Sequence, residues 1–113
     1  MGTPNKLMMA PPYAVEQALA KVGRNLRQAR LRRKLTIEEV AEKVGTGVRA
    51  IRDAESGKAS TGVAVYAALL WAYDLLSPFG ELADPLQDTE GLALATSREN
   101  RRARKSGELD NDF

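Results

Sequence analysis

The sequence contains no cysteine and no histidine. Without cysteine there is no disulfide framework and no thiolate metal site. Without histidine, the commonest general base and metal ligand is missing. Catalysis would need a carboxylate, lysine or serine constellation, and the chain shows no nucleophile elbow, phosphate-binding glycine loop or metal-ligand cluster. An enzyme is therefore the least favoured class, and no cofactor is expected. No apolar run approaches the roughly 20 residues that span a bilayer. The first residues carry a single Lys6 and no long apolar stretch of the secretory kind. The expected setting is the cytoplasm, with no membrane partner. Aromatic residues are scarce, with three Tyr, two Phe and one Trp, so each one asks for a reason to be where it is.

What is present is charge, and it is segregated. The net +2 over 113 residues hides a basic block at 21–58, where eleven Lys or Arg face five Asp or Glu. Residues 59–97 hold five acids and no base, residues 98–105 are net +4, and residues 106–113 are net −3. A block of cations is what phosphate binding needs, because each one near a nucleic-acid backbone releases condensed counterions.

Inside the basic block, residues 35–58 read as two short helices joined by a tight turn. Thr36 is an N-cap candidate, and Glu39 three residues later completes a capping box. Ile37, Val40, Ala41 and Val44 fall on one helical face. Gly45 breaks the pattern where a helix would end in a left-handed residue. Thr46 or Gly47 can cap the second helix, whose apolar positions are Val48, Ile51 and Ala54, and Gly57 stops it. Small residues beside the break, Ala41 and Gly45, suit a close crossing. This is the pattern of a helix-turn-helix, whose second helix enters a DNA major groove.

Residues 23–76 resemble the lambda-repressor/Cro-like (XRE) helix-turn-helix family. The resemblance rests on Gly23-Arg24 with Leu26 and Arg30, Leu35-Thr36, Glu38-Glu39-Val40-Ala41, Val44-Gly45, Ile51 and Glu55-Ser56-Gly57-Lys58. Two positions depart from the family pattern: Ile37 stands where Gln is usual, and Gly47 where Ser is common. The resemblance implies an all-α fold with a five-helix DNA-binding domain. It implies that Val48, Arg49, Arg52 and Asp53 approach bases. Arg is the commonest reader of guanine, and Val48 suits a thymine methyl. Asp53 has a second option, pairing with Arg49. Phosphate contacts are expected from Arg24 and Arg27 in the first helix, from Thr36, Thr46 and Gly47 around the turn, and from Lys58 and Ser60 in the following loop. Glu55 is expected to make a structural hydrogen bond or ion pair and no contact with DNA, where its charge would repel.

The flanks complete the expected layout: a flexible arm over 1–13, the DNA-binding domain over 14–83, a short helical extension over 84–97 and a disordered charged tail over 98–113. The first helix is expected over 14–34, with Val15, Leu19, Val22, Leu26 and Ala29 along one stripe. Ser77-Pro78 and Asp84-Pro85 both read as helix starts. Residues 62–76 are almost wholly apolar, more than a small domain needs. Trp71, Tyr73 and Phe79 are therefore expected at a subunit or partner interface. A homodimer fits a pseudo-palindromic DNA operator.

The layout further resembles HipB-like antitoxins, encoded beside a HipA-like serine/threonine kinase toxin. The features are the helix with Trp71, Leu82-Ala83-Asp84-Pro85, Glu90-Gly91-Leu92-Ala93-Leu94, the basic run and Leu109 to Phe113. That resemblance implies a nucleoid-associated repressor that restrains the kinase and autorepresses its operon. The competing readings are a phage-type or restriction-controller repressor, and a protein-interaction inhibitor working through residues 62–113 with only secondary DNA binding.

Overall fold

The structure, a computed structural model, describes residues 5–111, with side chains over 5–106. The described residues form seven helices: α1 (Lys6–Met9), α2 (Tyr13–Arg32), α3 (Ile37–Val44), α4 (Val48–Glu55), α5 (Val63–Ala72), α6 (Ser77–Gly80) and α7 (Thr89–Asn111). The chain divides into two units, Met1–Gly80 and Glu81–Phe113.

In the first unit the core is drawn from four helices. Leu26 and Ala29 of α2, Val40 and Ala41 of α3, Ile51 and Ala54 of α4, and Tyr66 and Leu69 of α5 with Tyr73 just beyond it form one buried cluster. The capping box forms as the sequence implies: the Thr36 hydroxyl accepts from Glu39 N–H at 3.1 Å, and Thr36 N–H donates to Glu39 Oε1 at 3.0 Å. Gly45 ends α3 with φ 78°, a left-handed conformation that costs a side-chain-bearing residue roughly 1–2 kcal/mol. The expectation of close approach at Gly45 is not met, since a Cβ there would meet nothing within 4 Å. The close crossing is at Gly23, where a Cβ would lie 2.5 Å from the Glu55 carbonyl oxygen and 2.8 Å from that of Ala54. This glycine lets α2 lie directly on the C-terminal turn of α4. Val15 and Val22, on the stripe expected to face the core, are 41% and 39% exposed. Burial on α2 is concentrated at Gly23, Leu26, Ala29 and Arg30.

Arg30 is the buried charge of this unit, and Glu55 answers it. The guanidinium donates from Nε at 2.7 Å and Nη2 at 3.0 Å to the two Glu55 oxygens, and from Nη1 at 3.0 Å to the Leu35 carbonyl. The hydrogen-bonded carboxylate holds the Arg30 pKa above its ordinary value although burial pulls the other way. The fork ties α2, the α2–α3 connection and the end of α4 together. Two further cations serve the fold. Arg33 Nη2 donates to the Tyr73 carbonyl at 2.7 Å, and Lys43 Nζ to the Ala72 carbonyl at 3.4 Å. Both sit where α5 ends, at carbonyls that lack intrahelical partners.

Outside this core the expected layout needs correcting. Part of the expected flexible arm is helical: Asn5 Oδ1 accepts from Leu7 N–H at 3.0 Å and caps α1. Residues 1–4 lie outside the described residues. In the second unit Asp84 does not start a helix. Its carboxylate accepts from Leu86 N–H at 3.0 Å and closes a turn. The helix begins after Asp88, whose Oδ1 accepts from Gly91 N–H at 2.9 Å. From there α7 runs to Asn111 without a break, through residues expected to be a disordered tail. Ala, Arg, Glu and Lys over 98–105 are strong helix formers and no proline interrupts them. Residues 112–113 lie outside the described residues.

Candidate nucleic-acid interface

Two residues fix α4 in place. Ile51 and Ala54 are wholly buried, so the helix is anchored along one side. Arg49 and Arg52 lie on the other side and are exposed. Among the described residues neither takes part in an ion pair. Their guanidinium groups are therefore presented on a rigid support with their donors unspent, the arrangement that bidentate contact with a guanine edge requires. At the start of α4, Gly47 provides no side-chain cap. Val48 is half-buried and packs against the core, so it offers only part of its surface to a ligand.

Asp53 is placed differently from Arg49 and Arg52. It is half-buried, and its carboxylate faces Lys58 Nζ at 3.9 Å, not Arg49. Ser56 Oγ and Lys58 N–H both donate to the Asp53 carbonyl, each at 3.0 Å. Asp53 thus organises the α4–α5 loop. At this exposure the ion pair itself contributes about 0–1 kcal/mol.

The residues expected at phosphates divide by what they already do. Arg24, Arg27, Lys58 and Ser60 are exposed. Thr36 accepts with its oxygen in the capping box, which leaves the hydroxyl hydrogen to donate. Thr46 is half-buried in the turn and Gly47 is exposed beside it. Sequence reasoning missed the engagement of Arg33 and Lys43 by the end of α5. No local pattern signals it, because the carbonyls they bind lie 40 and 29 residues further along the chain.

The expected interface aromatics also separate. Trp71 is 57% exposed and Phe79 half-buried, but Tyr73 is 0% exposed. Tyr73 is a core residue with Arg33 5.4 Å from its ring centroid, so it has no surface to give a partner. The apolar excess lies instead at Val63, Ala64 and Trp71, with Leu75 and Leu76 beyond α5, all exposed.

Among the described residues no cluster of acidic side chains is placed to hold a metal ion, and no helix is long and apolar enough to cross a membrane. A family model described as a helix-turn-helix domain matches residues 21–85, more than half of the chain. No curated protein and no solved structure matches it.

Proposed function

The chain belongs to the helix-turn-helix domain family, and from that premise we propose that it is a sequence-specific DNA-binding regulator of transcription, with α4 as the recognition helix. The observation that carries this reading is the division of α4 into a buried side, Ile51 and Ala54, and an exposed side bearing Arg49 and Arg52, which make no ion pair among the described residues. Arg49 and Arg52 read base edges, with Val48 and Asp53 flanking them. Arg24, Arg27, Thr36, Thr46, Gly47, Lys58 and Ser60 set the register on phosphates.

Selection of bound duplexes from a random library, near physiological salt, tests it. An enriched motif is expected, and binding without any motif that vanishes as salt rises sinks the reading. On the selected sequence, Arg49→Ala is expected to cost about 1–3 kcal/mol and relax preference at one position. An equal loss on all sequences would confine Arg49 to phosphate.

The finer reading is a homodimeric, nucleoid-associated repressor on a pseudo-palindromic operator, and within it a HipB-like antitoxin that restrains a HipA-like kinase. Its support is the apolar surface around Trp71, together with exposed Leu92 and Leu94 in the second unit. Co-purification with such a kinase and suppression of its autophosphorylation are expected. Stable binding to DNA without kinase capture would leave a phage-type or restriction-controller repressor.

A further inference from the structure

The second unit holds a cationic surface that the helix-turn-helix does not use. In α7, a helix of 23 residues, Arg98, Arg101, Arg102 and Lys105 fall within an arc of roughly 100° at 3.6 residues per turn. All four are exposed, and with Arg104 they border one open concavity. From Arg98 to Lys105 the face extends about 10 Å at 1.5 Å per residue. Neither Arg98 nor Arg101 has an acid three or four residues away in either direction, the spacing at which a helical ion pair would neutralise it. Residues 98–105 contain no aromatic or branched apolar side chain. A helix lying in a membrane surface needs such residues opposite its cations, so the face is built for a polyanion and not for lipid.

We propose that this face of α7 is a second duplex-DNA contact, binding the phosphate backbone without reading sequence and supplementing the contacts made through α4. The proposal rests on the DNA-binding reading of α4. Backbone neutralisation by four cations has a defined signature: a steeper fall of affinity with salt and no change in which bases are preferred.

The test compares the full chain with a variant carrying Arg98→Gln, Arg101→Gln, Arg102→Gln and Lys105→Gln on the selected duplex. Glutamine keeps helix propensity close to that of arginine and lysine, and none of the four residues belongs to the core cluster. The slope of log affinity against log salt is expected to become shallower by about 3.6. Between 50 and 200 mM salt the wild type then loses about a hundredfold more affinity than the variant. The selected motif is expected to stay the same. A companion variant with Arg98→Lys, Arg101→Lys and Arg102→Lys should keep the wild-type slope, because phosphate neutralisation needs charge and not a guanidinium fork. An unchanged slope in the glutamine variant, with the motif retained, overturns the inference and leaves the α4 reading standing. A changed motif overturns it as well, since α7 would then be reading bases. A wild type with no preferred sequence overturns the α4 reading and the inference with it.

Discussion

Tyr73 lies wholly inside the core, and among the described residues its hydroxyl has no hydrogen-bond partner. A buried hydroxyl left unsatisfied costs about 1–3 kcal/mol, so Tyr73→Phe is expected to leave the domain equally stable or about 1 kcal/mol more stable at neutral pH by denaturant titration. The same residue gives the domain an alkaline limit. Burial pushes the Tyr73 phenol above its ordinary value, the Glu55 carboxylate adds to the rise, and Arg30 and Arg33 oppose it. A raised folded pKa means that stability is intact below about pH 10 and falls as pH climbs from the unfolded pKa through the folded one. The Tyr73→Phe variant should therefore lose less stability than the wild type above pH 10; identical alkaline profiles would show that the Tyr73 phenol ionises as readily in the folded chain as in the unfolded one, with no rise from burial. Glu55 carries the opposite kind of burial, a charge fully answered. Its side chain and that of Arg30 are 7% and 9% exposed, and Glu55→Ala would leave the guanidinium buried with only the Leu35 carbonyl. A loss of about 3–5 kcal/mol is expected, read from the thermal transition, and a loss under 1 kcal/mol would mean that water reaches Arg30.

At the scale of elements, the orientation of α4 depends on how closely α2 can lie against its last turn. Gly23→Ala gains about 1 kcal/mol of helix propensity but drives a methyl group onto the carbonyls of Ala54 and Glu55. Backbone cannot rotate away as a side chain can, so overpacking of about 1–3 kcal/mol is expected to prevail. Net destabilisation with weakened specific DNA binding is the expected outcome, and a variant more stable than the wild type would mean that the helices are free to separate. The α3–turn–α4 unit was legible in the sequence because its signals are local: the Thr36–Glu39 box, the Gly45 break, and Ile51 and Ala54 three residues apart. The exposed position of Arg49 and Arg52 followed from the same period. What escaped was non-local or a matter of propensity. Tyr73 packs with α2, α3 and α4 residues far away in the sequence, so an aromatic that looked surplus in an apolar run is core. Asp53 turns to Lys58 because the chain reverses after α4, which no spacing rule shows. In α7, charge over 98–105 argued for disorder, while helix propensity over the same residues led to an unbroken helix.

At the scale of the whole molecule, the apolar surface that α5 leaves uncovered bears on copy number. The first unit satisfies its core with Tyr66, Leu69 and Tyr73 from the α5 region, yet leaves Val63, Ala64 and Trp71 exposed along α5. Ala64 and Trp71 lie seven residues apart, about two turns, so they share one stripe, with Val63 beside it at the start of the helix. A single Trp can bury about 150–250 Å², which is a central share of the roughly 800 Å² per partner in a standard interface. Two-fold pairing through this stripe would present two α4 helices to half-sites one helical turn apart. On that reading Trp71→Asp is expected to yield a folded monomer in sedimentation. The wild type should melt at a temperature that rises with protein concentration, because association stabilises the folded state by mass action, and the variant should not. On DNA, the variant should lose affinity for a duplex with two half-sites and keep wild-type affinity for a duplex with one, because α4 is untouched. A variant that remains dimeric while folded would place the interface elsewhere and leave Trp71 free for a different partner.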